Sequence, residues 1–222
     1  MIGNSRKTAI VTGASGGIGY ASAAALAKAG FTVFGTSRKD RGNGPAGVTM
    51  MTCDVTDDAS VASLVESVLS QTGRVDVLVN NAGVGLFGGA EESSLAQVQS
   101  LFDVNLFGVM RMINAVLPSM RERGGGRLIN ISSALGFMPA PYSAHYAASK
   151  HALEGYSESL DHEIRAFKVR ASADPTGLYP QPFRSKFSRA GFEAQGIRSG
   201  AHPGECLRQG RDAHGRHPRN GG

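Results

Sequence analysis

The chain has 222 residues, of which 41% are hydrophobic, 18% are charged and 30 are glycine. This apolar fraction excludes an intrinsically disordered chain, and the glycines follow no three-residue period of the kind found in collagen. The length predicts one domain, large enough to fold around a hydrophobic core without a metal or a disulfide.

The two cysteines, Cys53 and Cys206, form neither a disulfide framework nor a cluster with metal-ligand spacing. We therefore expect no metal site and a reducing, cytoplasmic location. Residues 1–20 lack the features of a signal peptide, and no uninterrupted apolar run approaches the length of a membrane span. No membrane partner is expected.

The net charge of +5 is distributed unevenly. Residues 1–170 contain 15 basic and 14 acidic residues, whereas residues 171–222 contain 8 basic and 4 acidic residues. The nearly neutral body has neither a basic, aromatic-bearing surface nor a nucleic-acid-binding motif, so we expect no nucleic-acid partner.

Residues 1–173 alternate short β-branched segments with longer helical patterns, which is typical of repeated βαβ units. We predict a Rossmann-like, doubly wound α/β fold with a parallel sheet of about six strands and helices on both faces. The predicted strands are Thr8–Val11, Phe31–Thr36, Val48–Cys53, Val75–Val79, Arg127–Ile131 and Val169–Ala173. The predicted helices are Tyr20–Ala29, Ser60–Leu69, Leu95–Met120 and Ala144–Phe167.

The composition changes near residue 174. Residues 171–222 contain 9 glycines and 5 of the 9 prolines, but only six residues of the types Leu, Ile, Val, Met and Phe. We therefore predict an irregular Gly/Pro/Arg-rich segment over 174–222, without a seventh strand. A shift of reading frame near Asp174 and a natural short variant whose tail folds with a partner or in an oligomer are the two explanations left open.

A glycine-rich loop follows the first predicted strand. Residues 12–19 have the sequence Thr-Gly-Ala-Ser-Gly-Gly-Ile-Gly and precede a predicted helix. There, backbone N–H groups and the positive helix end can bind the pyrophosphate of a dinucleotide, and glycine allows the phosphates to approach. Because the spacing differs from the commoner GxGxxG fingerprint, a plain tight turn is the alternative.

The second predicted strand ends in residues that could bind the adenosine ribose. Ser37 stands where a carboxylate would bind the ribose of NAD, and Arg38 carries a guanidinium group suited to the 2′-phosphate of NADP. This favours NADP over NAD. In the alternative, Arg38 and Lys39 are solvated and Asp40 binds the ribose.

Tyr146 and Lys150 lie four residues apart in a predicted helix, so their side chains share a face. An ammonium group near the phenol would lower the pKa of Tyr146 and suit it to proton transfer. A surface pair would show the same spacing. Ser133 and Asn81 follow predicted strands, at the edge where open α/β sheets bind ligands.

Together these motifs resemble the short-chain dehydrogenase/reductase family of Rossmann-fold oxidoreductases. The similarity covers roughly residues 6–173. It rests on TGASGGIG at 12–19, CDVTD at 53–57, NNAG at 80–83, the asparagine at 105, and the stretch from ISSALG to YAASK at 131–150.

The resemblance implies roles for a catalytic tetrad. Tyr146 would be the acid or base toward the substrate oxygen, assisted by Lys150, which would also bind the nicotinamide ribose. Ser133 would polarise the same oxygen, and Asn105 would order a water that links Lys150 to solvent. The cofactor-binding residues implied in the same way are Gly13, Ser15, Gly17, Ile18, Gly19, Arg38, Asp54, Val55, Asn81, Ala82, Gly83, Tyr146 and Lys150.

The resemblance thus implies an NADP-dependent oxidoreductase for a small-molecule carbonyl or secondary alcohol, active as a homodimer or homotetramer. The chain departs from the family after the sixth strand, where Asp174-Pro175-Thr176-Gly177 replaces the usual Pro-Gly turn. The alternative function is a dinucleotide-binding protein with little or no turnover, because the substrate lid and the last strand would be lost.

Overall fold

The structure is a computed structural model that describes residues 6–39 and 44–175. Within these ranges, six strands form one parallel sheet in the order β3-β2-β1-β4-β5-β6. The strands are β1 (Thr8–Val11), β2 (Thr32–Ser37), β3 (Val48–Thr52), β4 (Val77–Asn80), β5 (Gly126–Ile131) and β6 (Val169–Asp174). The helices are α1 (Gly17–Lys28), α2 (Asp58–Thr72), α3 (Leu95–Phe102), α4 (Gly108–Glu122) and α5 (Ala144–Ile164).

The predicted doubly wound fold is confirmed, and each predicted strand lies within two residues of an observed one. Alternate residues of the strands point to opposite faces of the sheet. Ile10 and Leu78 pack in a large core with the apolar sides of α2, α4 and α5, whereas Val11 and Val79 pack with Ala23 of α1. Both faces of the sheet are therefore covered by helices.

Helix α2 is longer than predicted because capping residues at both of its ends define its limits. The carboxylate of Asp57 accepts hydrogen bonds from the backbone N–H groups of Ala59 and Ser60, at 2.9 and 3.4 Å. The helix ends at Gly73, whose φ of 68° lies in the left-handed region that glycine adopts readily. Asp57 is therefore the N-cap of this helix.

The single long helix predicted from 95 to 120 is interrupted. A π-helical turn, Asp103–Phe107, joins α3 to α4 and contains Asn105. Apolar spacing does not reveal such a turn, because the apolar face continues through it. The residues of that face lie in the core or pack against it: Phe102, Leu106, Val109, Met110 and Ile113.

Among the described residues, one helical run is long enough, and apolar enough on average, to cross a membrane: Leu95–Glu122. The sequence has no uninterrupted apolar run of that length, but the mean hydropathy of an 18-residue stretch of this helix is as high as that of a membrane span. Met112, Ile113 and Val116 are buried in the core. A core helix meets the same criterion, so the finding is weak evidence for a membrane span.

The sixth strand is longer than predicted. Asp174 is the last residue of β6, and its carbonyl oxygen accepts a 2.8 Å hydrogen bond from the N–H of Ser132. The strand ladder therefore extends one residue beyond the prediction. The rest of the predicted irregular segment, from 176, lies outside the described residues, as do Asp40 and Cys206.

Candidate active site

The candidate site lies at the carboxyl edge of the sheet. Strands β1 and β4 are neighbours, and their chains continue to opposite sides, with β2 on one flank and β5 on the other. Open α/β sheets bind ligands in the crevice that forms at such a switch point. The loops after β1, β4 and β5 carry the glycine loop, residues 81–83 and Ser133. The other predicted site residues follow β2 and β3 or lie in the π-turn and on α5.

The glycine loop has the geometry of a phosphate cradle. Gly13 and Gly17 adopt left-handed φ angles of 66° and 57°. A Cβ on Gly19 would lie 2.3 Å from Asn81 Nδ2, so only glycine fits there. Helix α1 begins at Gly17, and its N-cap Gly16 provides no side-chain cap, which leaves the first-turn N–H groups suited to an anion. These features fit a dinucleotide pyrophosphate, with Ser15 and Ile18 in the same loop.

Thr12 connects this loop to the loop after β4. Its Oγ1 accepts hydrogen bonds from the N–H groups of Asn81 and Ala82, at 3.0 and 2.9 Å. The Asn81 amide donates in return to the carbonyl oxygens of Thr12 and Gly13, at 2.9 and 3.2 Å. Thr12 is absent from the predicted site residues. The sequence signals for this contact are its position directly after a buried strand and its place at the start of the motif at 12–19.

The turn after β3 is organised by Asp54. Its Oδ1 accepts hydrogen bonds from the N–H and the hydroxyl of Thr56, at 2.9 and 2.7 Å. These bonds lower the pKa of Asp54, and the positive charges of Arg38 and Arg111 lower it further. Val55 follows in the turn and is buried. An ionised carboxylate beside a buried apolar residue can bind both the amino group and the ring of an adenine.

Arg38 follows β2 and is exposed. The Ser37 hydroxyl donates to the Lys39 carbonyl oxygen and so closes the end of the strand into a tight turn. The positive charge of Arg38 contributes to the low pKa of Asp54.

Lys150 is buried on α5, and its ammonium group donates a 2.8 Å hydrogen bond to the carbonyl oxygen of Ile131 at the end of β5. Burial disfavours the charged form and lowers the pKa of Lys150 to about 8, while the charge of Glu154 acts in the opposite direction. The Nζ atom lies 5.9 Å from the centroid of the Tyr146 ring.

Tyr146 differs from the expectation in its acidity. Burial raises its pKa, and a hydrogen bond with the Ser133 side chain lowers it only in part. The predicted lowering by Lys150 is absent because that ammonium group is directed at the Ile131 carbonyl. The ring of Phe87 covers the Tyr146 ring at a centroid distance of 5.1 Å. Tyr146 is therefore a protonated phenol at neutral pH.

Ser133 has both a local and a site contact. Its Oγ accepts a 3.2 Å hydrogen bond from the N–H of Leu135 and so caps the short 3-10 helix Ala134–Gly136. The same side chain lies near the Tyr146 phenol and lowers its pKa. The local contact does not exclude a role of the hydroxyl at the site.

Asn105 is buried in the π-turn and connects two loops of the site. Its Oδ1 accepts from the N–H of Val84 at 2.9 Å, and its Nδ2 donates to the carbonyl of Val84 at 2.9 Å and to Ser149 Oγ at 3.2 Å. The Ser149 hydroxyl in turn donates to the carbonyl of Tyr146 at 2.8 Å. Since both amide hydrogens are used, the side chain holds the loop after β4, at Val84 beside Gly83, against α5.

Residues 7–189 match the model of the short chain dehydrogenase family. The protein is a short-chain dehydrogenase family member. The family resemblance stated from the motifs is thus confirmed, and the six-stranded parallel sheet agrees with that of solved relatives.

Relatives of this short-chain dehydrogenase family member include enzymes named for lipid-like compounds. It is 45% identical over 161 residues to 3-ketodihydrosphingosine reductase of Bacteroides thetaiotaomicron, covering 72% of this chain and 60% of that protein. It is 39% identical over 193 residues to retinol dehydrogenase 8 of Bos taurus, covering 81% and 61%. The chain therefore spans about three fifths of the length of these curated relatives.

One solved relative is a metagenomic short-chain oxidoreductase in complex with NADP. It superimposes on this family member with a TM-score of 0.70 and 37% sequence identity, over 75% of this chain and 80% of that one.

Proposed function

We propose that this protein is an oxidoreductase that transfers a hydride between NADP(H) and the carbonyl or secondary alcohol group of an apolar small molecule. The observation that carries the proposal is the position of the Ser133 side chain beside the Tyr146 phenol, whose pKa it lowers, with the buried Lys150 ammonium 5.9 Å from the tyrosine ring centroid. Two hydroxyl groups that meet at the ligand-binding edge of a sheet can both bind one substrate oxygen.

In the reducing direction Tyr146 acts as the general acid. Because burial raises its pKa, the phenol carries its proton at neutral pH and can give it from Oη to the oxygen that becomes an alcohol. Ser133 Oγ donates to the same oxygen and stabilises the charge that develops on it. The nicotinamide, when bound, supplies the hydride in this direction and accepts it in the other.

Lys150 supplies a positive charge to the site, with its ammonium group 5.9 Å from the centroid of the Tyr146 ring. Its pKa of about 8 leaves it largely charged at neutral pH and close to losing a proton. The hydrogen bond to the Ile131 carbonyl fixes the ammonium group, which would also hold the ribose hydroxyls of the cofactor. Asn105 keeps α5 in place through Ser149 and the Tyr146 carbonyl.

NADP is the proposed cofactor, with NAD as the alternative. The exposed guanidinium group of Arg38 suits a 2′-phosphate, and a relative with 37% identity was solved with NADP. The glycine loop would hold the pyrophosphate, and Asp54 and Val55 the adenine. Comparing the dissociation constants of NADPH and NADH by cofactor fluorescence tests the choice. Arg38→Ala should weaken NADPH binding and leave NADH binding nearly unchanged.

The segment between Ser133 and Tyr146 supports an apolar substrate. Phe137, Met138 and Tyr142 are exposed large side chains of this segment. Tyr142 adopts a left-handed φ of 58°, and its carbonyl accepts a 2.9 Å hydrogen bond from the N–H of Gly88. The loops after β4 and β5 are thus tied together beside Tyr146. The names of the two curated relatives, for a ketodihydrosphingosine and a retinol, agree with this class.

A cytoplasmic location and a homodimeric or homotetrameric assembly belong to the same proposal. Their support is the cysteine content and the family resemblance. Size-exclusion chromatography with light scattering measures the assembly.

The decisive experiment follows NADPH oxidation with a panel of long-chain ketones and aldehydes. We expect turnover by the wild-type protein and, with Tyr146→Phe, loss of turnover by a factor of about 100 or more at unchanged NADPH affinity. Binding of NADPH without turnover of any substrate, and with no effect of Tyr146→Phe, would instead support the alternative of a dinucleotide-binding protein.

A further inference from the structure

Arg111 on α4 contacts the preceding π-turn and two neighbouring segments more than 50 positions earlier in the chain. Its Nη1 donates to Asp103 Oδ1 at 2.7 Å, and its Nε donates to Asp58 Oδ1 at 2.8 Å. The Nη1 group also lies 3.5 Å from the carbonyl oxygen of Val55. These acceptors belong to the π-turn, to the first turn of α2 and to the turn after β3.

The contact with Asp103 closes over the π-turn. Asp103 is the first residue of that turn, and Arg111 follows it by eight positions, so the side chain reaches back toward the helix N-terminus as helical side chains do. A π-turn is an irregular insertion in a helix and is common at functional sites. In this protein the ion pair between Arg111 and Asp103 holds the first residue of the π-turn.

The other contacts of Arg111 point to the adenine side. Gly108, one turn before Arg111, packs so closely on Val55 that a Cβ there would lie 2.8 Å from Val55 Cγ2. The positive charge of Arg111 also contributes to the low pKa of Asp54. The start of α4 is thus pressed against the turn that carries the proposed adenine contacts.

We propose that Arg111 is a positioning residue that couples the adenine end of the cofactor site to the catalytic turn at Asn105. The coupling runs from Val55 through Arg111 to Asp103 and Asn105, and from there through Ser149 to the backbone of Tyr146. The kinetic part of this inference rests on the proposed function.

The two carboxylates that pair with Arg111 supply a matched control. The side chain of Asp58 is 86% exposed, whereas that of Asp103 is 38% exposed and belongs to the turn itself. Exposed ion pairs contribute little, so Asp58→Asn should change kcat and cofactor affinity by less than about twofold. Asp103→Asn and Arg111→Met should each lower kcat about tenfold and raise the NADPH dissociation constant several-fold, because small displacements of catalytic groups are costly.

The experiment compares these variants of the full chain by kcat, NADPH dissociation constant, thermal midpoint and hydrogen exchange of residues 103–108. Faster exchange in this segment is expected for Arg111→Met and Asp103→Asn but not for Asp58→Asn. In the double variant of Arg111 and Asp103, the losses in kcat and in NADPH affinity should not add, since both substitutions remove the same contact. Arg111→Lys should restore only part of kcat, because one ammonium group cannot reproduce the fork of contacts.

Equal effects of Asp58→Asn and Asp103→Asn would overturn the proposal, as would a folded Arg111→Met protein with wild-type kcat and wild-type exchange. If the wild-type protein binds no NADPH, the proposed function fails. The hydrogen-exchange rate of residues 103–108 then tests the positioning role of Arg111 without any activity measurement. An unchanged rate in Arg111→Met overturns the inference.

Discussion

Lys150 donates a 2.8 Å hydrogen bond to the backbone carbonyl of Ile131, which joins the second turn of α5 to the last residue of β5. The contact fixes the ammonium group on the face of the helix that also carries Tyr146. The cost of burying this charge appears in the pKa of Lys150, which burial lowers to about 8.

We predict that Lys150→Met makes the protein more stable and less active. Below pH 8 the folded protein carries a buried cation, and removing it should gain about 3 kcal/mol, partly offset by about 1–2 kcal/mol for the unpaired Ile131 carbonyl. Chemical denaturation at pH 7 measures the difference.

The pH dependence of stability tests whether the buried charge of Lys150 causes this difference. Between pH about 8 and about 10.4 the folded protein has released the Lys150 proton while the unfolded chain still binds it, so wild-type stability should rise with pH across this window. In Lys150→Met this rise should be absent. A variant no more stable than wild type at pH 7, or one that keeps the rise, would contradict the assignment.

Two glycines of the cradle should respond differently to alanine. A Cβ on Gly19 would overlap Asn81, whereas a Cβ on Gly16 has nothing within 4 Å and the extended backbone there suits any residue. We expect Gly19→Ala to abolish detectable NADPH binding and to lower the thermal midpoint. Gly16→Ala serves as the control and should fold and bind nearly as wild type. Similar losses in both variants would show that space at Gly19 is not the constraint.

Thr12 should matter through its hydroxyl. Thr12→Val keeps the shape but leaves the N–H groups of Asn81 and Ala82 without their acceptor, which costs about 1–3 kcal/mol of stability. NADPH affinity should fall as well, because the glycine loop and the loop after β4 lose their connection. Thr12→Ser retains the acceptor and should restore most of both quantities. Equal behaviour of the valine and serine variants, in denaturation and in cofactor titration, would refute this role.

Asp161 should stabilise the junction of α5 with β6. Its carboxylate accepts hydrogen bonds from Arg170 at 2.8 and 3.0 Å and from the N–H of Ala171 at 2.9 Å. Asp161→Asn should therefore lower the free energy of unfolding by about 2–3 kcal/mol at pH 7. Arg165→Met is the matched control, because Arg165 is half-exposed and lies 3.3 Å from the same carboxylate, so its loss should change stability by less than about 1 kcal/mol.

The sign of the pH effect follows from the pKa of Asp161, which the hydrogen bonds to Arg170 and Ala171 lower to about 2. Its stabilising contribution is complete above the unfolded pKa of about 3.9 and is lost as the pH falls toward 2. Acid unfolding of Asp161→Asn should lack this component. A variant with the same acid profile as wild type would show that other carboxylates dominate.

The sequence by itself determined the fold class, the strands to within two residues and the loops that carry the site. These features depend on neighbours in the chain: hydrophobic periodicity, glycine spacing and the position of polar residues at strand ends. Helix boundaries were less accurate, since the cap at Asp57 and the π-turn at Asp103–Phe107 leave the apolar pattern unchanged.

The tertiary structure decided the direction of the Tyr146 pKa shift, the connection through Thr12 and the contacts of Arg111 with Val55 and Asp58. Each depends on groups that are distant in sequence and on burial, and spacing along one helix contains neither kind of information. The four-residue spacing placed Tyr146 and Lys150 on one face, but the carbonyl of Ile131, nineteen positions away, orients the ammonium group. The acidity of a side chain depends on the desolvation and the partners that only the folded protein provides.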